Sequence, residues 1–167
     1  MGLDFDPIAE ARRNWDRLGW PAGDAMEAAT SITRAHQILL GRIDEALAPF
    51  GLNFSRFEAL ALLHFSKEGR LPLGKMGDRL QVHPASITNT IDRLQQDRLV
   101  ERVPHPTDGR TTLAVITDAG VERVGQAQLA LAEISFGLAD VSGSALRSIR
   151  DDIVSLRRRA GDFGADD

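Results

Sequence analysis

The chain has 167 residues, 43% of them hydrophobic and 26% charged, the balance of an ordinary globular protein of one domain's length, which excludes a disordered tail or a collagen-like fibre. With 20 Lys and Arg against 24 Asp and Glu the formal charge is -4, so no global basic field draws the chain to a partner, and affinity for nucleic acid has to come from local placement. The absence of cysteine removes disulfides, thiolate nucleophiles, Cys-ligated metals and thiol redox sensing together.

Ile8, Ala11, Trp15 and Leu18 recur at three- and four-residue steps, so residues 6–18 form a short amphipathic arm helix that ends at Gly19 and Pro21. From residue 24 to residue 50 the helical period continues through Ala28, Ile32, Ala35, Ile38, Leu39, Ile43, Leu47 and Phe50, too long a stripe for one small domain to cover. Asn53 or Ser55 can cap the next helix, which carries Phe57, Leu60, Ala61, Leu63 and His64 and closes near Gly69. Residues 71–73 then suggest a very short strand.

Residues 73–80 form a further helix, Gln81-Val82-His83 turns, and Pro84 suits the first position of a helix whose apolar face is Ile87, Ile91 and Leu94. Residues 99–103 alternate as a strand does, and after the stiff segment Pro104-His105-Pro106-Thr107-Asp108-Gly109-Arg110 a second strand returns over 111–117. Thr117 or Asp118 caps the last pair of helices, 119–138 and 142–160.

A helix, a tight turn, a second helix with small polar residues on its outer face and then a hairpin is the order of a winged helix-turn-helix. Pro84 and Ala85 open the second helix, and Ser86, Thr88 and Asn89 are short side chains able to bond phosphates or base edges without holding the backbone away from DNA. Arg93, one turn on, can reach a phosphate or a guanine edge. At the hairpin tip Arg110 suits the adjacent minor groove, with Asp108 placed to orient its guanidinium and His105 nearby. Taken singly, these polar residues could merely solvate a surface helix; the hairpin that follows favours double-stranded DNA.

The segments Leu80-Gln81-Val82-His83-Pro84-Ala85-Ser86-Ile87-Thr88, Arg93-Leu94, Leu99-Val100-Glu101-Arg102, Asp108-Gly109-Arg110 and Thr117-Asp118-Ala119-Gly120 resemble the multiple antibiotic resistance regulator (MarR) family. The resemblance implies a mainly α fold, a winged helix-turn-helix over 51–117 between an arm and dimerisation helix (1–50) and C-terminal dimerisation helices (118–167). It also implies a homodimer whose two winged helices straddle a palindrome, and an apolar stripe buried between subunits. Arg98 stands where that family usually has Gly.

Family members often bind aromatic or phenolic acids and then release DNA. The extra arm helix resembles the urate-responsive branch, which implies ligand roles for Trp15, Glu58 and Arg102; Thr90 occupies the place of a second arginine, and losing a cation that pairs an anionic ligand costs on the order of 2–5 kcal/mol, which argues against urate. Each residue also has a plainer role: Trp15 as an anchor for the arm, Glu58 as an exposed helix residue, Arg102 as partner to Glu101 or a phosphate. His64, beside Ala61 and Phe65, reads as an inward-facing core histidine or a ligand contact.

An enzyme is disfavoured: the four histidines lack metal-ligand spacing, and there is no Gly-rich phosphate loop, nucleophile elbow or cysteine. No catalytic residues, cofactor or metal are expected. No apolar run approaches the roughly 20 residues of a membrane span, and the opening residues lack a signal-peptide core, so a cytoplasmic location without membrane contact is expected. The expected function is a homodimeric, ligand-responsive transcription regulator, most often a repressor; the alternative is a constitutive architectural DNA-binding protein, which would usually be basic overall.

Overall fold

Apolar periodicity at the two ends and mixed helix and strand signals between them resolve, in the computed structural model, into long terminal helices around a small winged centre. The structure describes residues 3–108 and 110–164; Gly109 of the hairpin tip lies outside the described residues. In chain order the elements are α1 (Pro7–Arg17), α2 (Gly23–Leu47), α3 (Phe54–Phe65), β1 (Arg70–Pro72), α4 (Leu73–Leu80), α5 (Pro84–Gln96), β2 (Val100–Pro104), β3 (Thr112–Ile116), α6 (Asp118–Glu133) and α7 (Gly143–Arg159). The fold is thus mainly α, with one antiparallel sheet of order β1-β3-β2.

The register pairs Val100 with Ile116 and Pro104 with Thr112, while β1 sets Leu71 opposite Ala114, so the third strand ties the wing to the start of α4. One core binds the centre: Leu60 and Leu63 of α3, Met76 of α4, Ile87, Ile91 and Leu94 of α5, Leu99, Val100 and Ala114 at the wing base, and Val124, Ala127 and Leu131 of α6. Ile43 and Leu47 at the end of α2 join it. The rest of the α2 stripe does not: Ile32 and Ile38 are exposed, and α7 buries no residue.

Two helix ends differ from the sequence expectation. α2 stops at Leu47 and continues only as the 3₁₀ turn Ala48–Phe50, because Pro49 has no N–H to give to a helical bond. α6 stops at Glu133, since Ser135, Phe136 and Gly137 all take left-handed backbone angles. The carbonyl of Gly137 accepts a hydrogen bond from Arg42 Nη1 at 2.6 Å, so the break is held by α2. Among the described residues no helix is long and apolar enough to cross a membrane.

Arg98 takes the left-handed backbone conformation that favours glycine, with φ at 60°. Its carbonyl accepts from Thr117 Oγ1 at 2.9 Å, and the same hydroxyl accepts from the Gly120 amide at 3.1 Å, which caps α6. Gly120 itself is sterically required: a Cβ there would lie 2.3 Å from the Leu99 carbonyl oxygen. A left-handed non-glycine residue costs about 1–2 kcal/mol, of which glycine's greater unfolded-state freedom returns about 0.5–1 kcal/mol. Arg98→Gly is therefore expected to stabilise the fold by about 0.5–1 kcal/mol, and Gly120→Ala to destabilise it by about 1–3 kcal/mol; urea denaturation curves check both signs.

Candidate nucleic-acid interface

Two local devices fix the exit from α4 and the entry to α5. Gln81 adopts a left-handed conformation, φ 55°, and the Val82 amide returns to the Gly77 carbonyl at 3.0 Å, closing α4. His83 then caps α5, its Nδ1 accepting from the Ala85 amide at 3.2 Å, and Pro84 occupies the first turn. Ile87, Ile91 and Leu94 turn into the core, which leaves Pro84, Ala85, Ser86, Thr88, Asn89 and Arg93 exposed on the opposite side. Ser86, Asn89 and Arg93 line one polar groove of about 510 Å³ together with Asn53 and Arg56 from the start of α3. Neither α3 residue emerged as a site candidate from the sequence; the only signal was a capping asparagine, and Asn53 does cap α3 by accepting from the Arg56 amide at 3.0 Å.

The wing tip is organised by Asp108. Its carboxylate accepts from the Arg110 amide at 3.1 Å and from Thr111 Oγ1 at 2.7 Å, and these bonds hold its pKa below the usual aspartate range. This corrects the expectation that Asp108 orients the Arg110 guanidinium: the carboxylate is spent on the backbone turn, and among the described residues no carboxylate pairs with that guanidinium. His105 Nδ1 accepts from the Thr107 amide at 3.3 Å; a backbone N–H can only donate, so the ring proton sits on Nε2. His105, Asp108 and Arg110 line a second polar groove, of about 620 Å³, with Lys75 of α4.

Arg102 joins the wing to α5. Its Nη1 lies 2.5 Å from Asp92 Oδ1 and its Nη2 donates to the Thr88 carbonyl at 3.1 Å. Its Nε is buried without a partner among the described residues. The expected pairing with Glu101 is replaced by Asp92, which alternation along β2 could not reveal, because the partner lies on a different element.

The four ligand-site candidates have separate surroundings, and no hydrogen bond, ion pair or ring contact joins any two of them. Trp15 Nε1 donates to the Pro21 carbonyl at 2.8 Å and its ring meets Trp20 edge-on at 4.9 Å, so it closes the arm onto the linker that leads into α2. Arg12 reinforces that closure through Asp16, Asp24 and Glu27. His64 is exposed on the last turn of α3, a correction of the inward-facing expectation: Leu63 takes the buried position beside it. Glu58 is half-buried on α3. Among the described residues no group of His, Asp and Glu is arranged to hold a metal.

A family model described as MarR family matches residues 50–111. The regulator MhqR of Bacillus subtilis (strain 168) is 34% identical over 90 residues, 54% of this chain and 61% of that protein, so the chain spans less than two thirds of that relative's length. The crystal structure of Sco5413, a MarR family transcriptional regulator from Streptomyces coelicolor, is 48% identical with a TM-score of 0.79 over 85% of this chain and 99% of that one. The CouR structure from Rhodococcus jostii RHA1, bound to p-coumaroyl-CoA, shares the fold with a TM-score of 0.68 at 21% identity over 83% of this chain and 95% of its own.

Burial raises the Glu58 carboxyl above the usual glutamate range, and no donor among the described residues compensates. A carboxyl whose folded pKa exceeds its unfolded value favours the fold when protonated, so its contribution is best below about pH 4 and declines as pH rises through the folded pKa. Glu58→Gln is expected to raise the melting temperature at pH 7, with the gain disappearing below about pH 4. Thermal melts across pH test this, and a lowered melting temperature at pH 7 would show that the carboxylate has a partner.

Proposed function

The chain belongs to the MarR family of DNA-binding transcription regulators, a non-enzymatic family, and from that premise we propose that it acts as a homodimeric repressor reading a pseudo-palindromic operator. The observation that carries this is the division of α5 into a buried apolar face and an exposed polar one, with Arg110, which has no carboxylate partner among the described residues, beyond it at the wing tip. α5 has 13 residues and at 1.5 Å per residue lies across a major groove. Ser86, Thr88 and Asn89 meet phosphates and base edges there, Arg93 meets a phosphate or guanine, and Pro84 and Ala85 bring the backbone close. His105 and Arg110 approach the neighbouring minor groove while Asp108 holds the turn that presents them.

The second copy covers the apolar surface that one chain leaves open. Ile32 and Ile38 of α2, Leu129 of α6 and Ile149 and Leu156 of α7 are all exposed, and such a stripe is the raw material of a symmetric interface. Residues 1–50 and 118–167 form this dimerising part and 51–117 the reading part. Effector control fits the same frame. An aromatic or phenolic ligand that engaged Trp15, Glu58, Arg102 or His64 would act most directly through Arg102, because drawing its guanidinium from Asp92 and Thr88 uncouples the wing from α5. CouR, bound to an aromatic acyl-CoA, supports ligand control as a use of this fold.

A gel shift on the DNA upstream of the chain's own gene tests the proposal. Two reading helices about one helical turn apart, about 34–36 Å, predict one sharp complex on a pseudo-palindrome and two chains per particle in sedimentation. Asn89→Ala is expected to cost about 1–3 kcal/mol on the cognate site alone, and Arg110→Ala to weaken binding to all sequences and lower the salt slope by about 1. Equal binding to scrambled DNA, or a sedimenting single chain, overturns the proposal.

A further inference from the structure

We propose that the cavity of about 610 Å³ beside the wing, bounded by the end of α3, β1 and α4, binds a small dianion carried on an aromatic body. The proposal rests on the regulator function set out above and adds a ligand site that shares no residue with Trp15, Glu58, Arg102 and His64.

The cavity lies within the usual range for small-molecule sites, about 300–1,000 Å³. Its walls combine an exposed aromatic ring with several cations. Phe65 is 80% exposed at the end of α3, a ring standing in water beside Pro106 of the wing. Around it are Lys67, Lys75 and Arg79, none of which has a carboxylate within ion-pair distance among the described residues, whereas Arg70 is matched by Glu68. Three uncompensated cations favour more than one negative charge, and the Nε2–H of His105 adds a donor. An exposed ring favours a flat apolar partner that can stack on it. DNA phosphates alone would satisfy the charges and leave Phe65 uncovered.

Occupancy has a consequence for DNA. Lys75 and His105 line both this cavity and the groove that also holds Asp108 and Arg110. A dianion seated against Phe65 takes the charge of Lys75 and the donor of His105 away from the phosphate backbone, so ligand and operator compete.

Isothermal titration calorimetry with 1-naphthyl phosphate on the DNA-free protein tests the site directly. One ligand is expected per chain, at least tenfold tighter than 1-naphthoate or inorganic phosphate, and weakened at least tenfold by Phe65→Ser and by Lys67→Gln. Phe65 lies outside the core, and circular dichroism verifies that both variants fold. In a gel shift the ligand is expected to release the wild-type operator complex at a concentration that leaves the Phe65→Ser complex intact. Undiminished binding by Phe65→Ser, an equal affinity for inorganic phosphate or 1-naphthoate, or a loss of operator affinity in ligand-free Phe65→Ser overturns the proposal, the last by showing that the patch touches DNA. Failure of the regulator function appears separately, as the absence of an operator complex before any ligand is added.

Discussion

The roll of α5 about its own axis is set by three buried side chains, Ile87, Ile91 and Leu94, each at most 3% exposed. Burying an aliphatic side chain of this size is worth about 1.5–3 kcal/mol, so turning the helix by even one position would expose part of that stripe and carry polar groups inward. The outward face is therefore fixed by the inward one. Ser86, Thr88, Asn89 and Arg93 occupy the surface because the core permits nothing else there, and the His83 cap with Pro84 fixes where that surface starts. Any selectivity of the polar face inherits its precision from this packing.

Charge is used sparingly around that face. Arg102 and Asp92 neutralise one another between α5 and β2, Asp108 spends its carboxylate on the wing turn, and Arg70 pairs with Glu68. Among the described residues Arg93, Arg110, Lys75 and Arg79, all exposed, have no carboxylate within ion-pair distance. An acidic chain can thus present exposed cations there, because Asp92, Asp108 and Glu68 are engaged in structure, although Asp78 also lines the groove of Lys75 and Arg110. The orphaned Nε of Arg102 marks the least satisfied point of the scheme, an unpaired donor at the joint between the wing and α5.

The central unit is legible in the sequence because short-range signals decide it. His83-Pro84 announces a helix start, alternation from Val100 announces a strand, and Thr117 with Gly120 announces the cap and close approach of α6. Signals that depend on distant contacts are invisible in the same way. The left-handed run Ser135–Phe136–Gly137 begins inside an apolar period that continues to Leu138, so Gly137 alone does not mark where α6 stops, and the break is held by Arg42 across a gap of 95 positions. His64 follows the apolar rhythm of α3 closely enough to read as buried, yet the last turn of α3 leaves the core. Asp108 is visible as an acid near Arg110, but only the backbone geometry shows that it accepts from the amide and not from the guanidinium. Phe65 looks like one more core aromatic until the structure places it in solvent.

The C-terminal helix is connected to the winged centre by polar contacts. α7 buries none of its residues within the chain, but the segment just after it returns to the reading head: Gln81 Nε2 donates to Asp162 Oδ1 at 2.9 Å, and Asp162 Oδ2 accepts from Arg157 Nε at 2.6 Å. Gln81 is the left-handed residue of the turn between α4 and α5, so the segment after α7 bonds the residue that aims α5, through both the carboxylate and the carbonyl of Asp162. A helix that buries none of its own residues is in this way connected to the turn that orients the polar face. The seating of α7 and the direction of α5 are consequently linked through the Gln81 carboxamide.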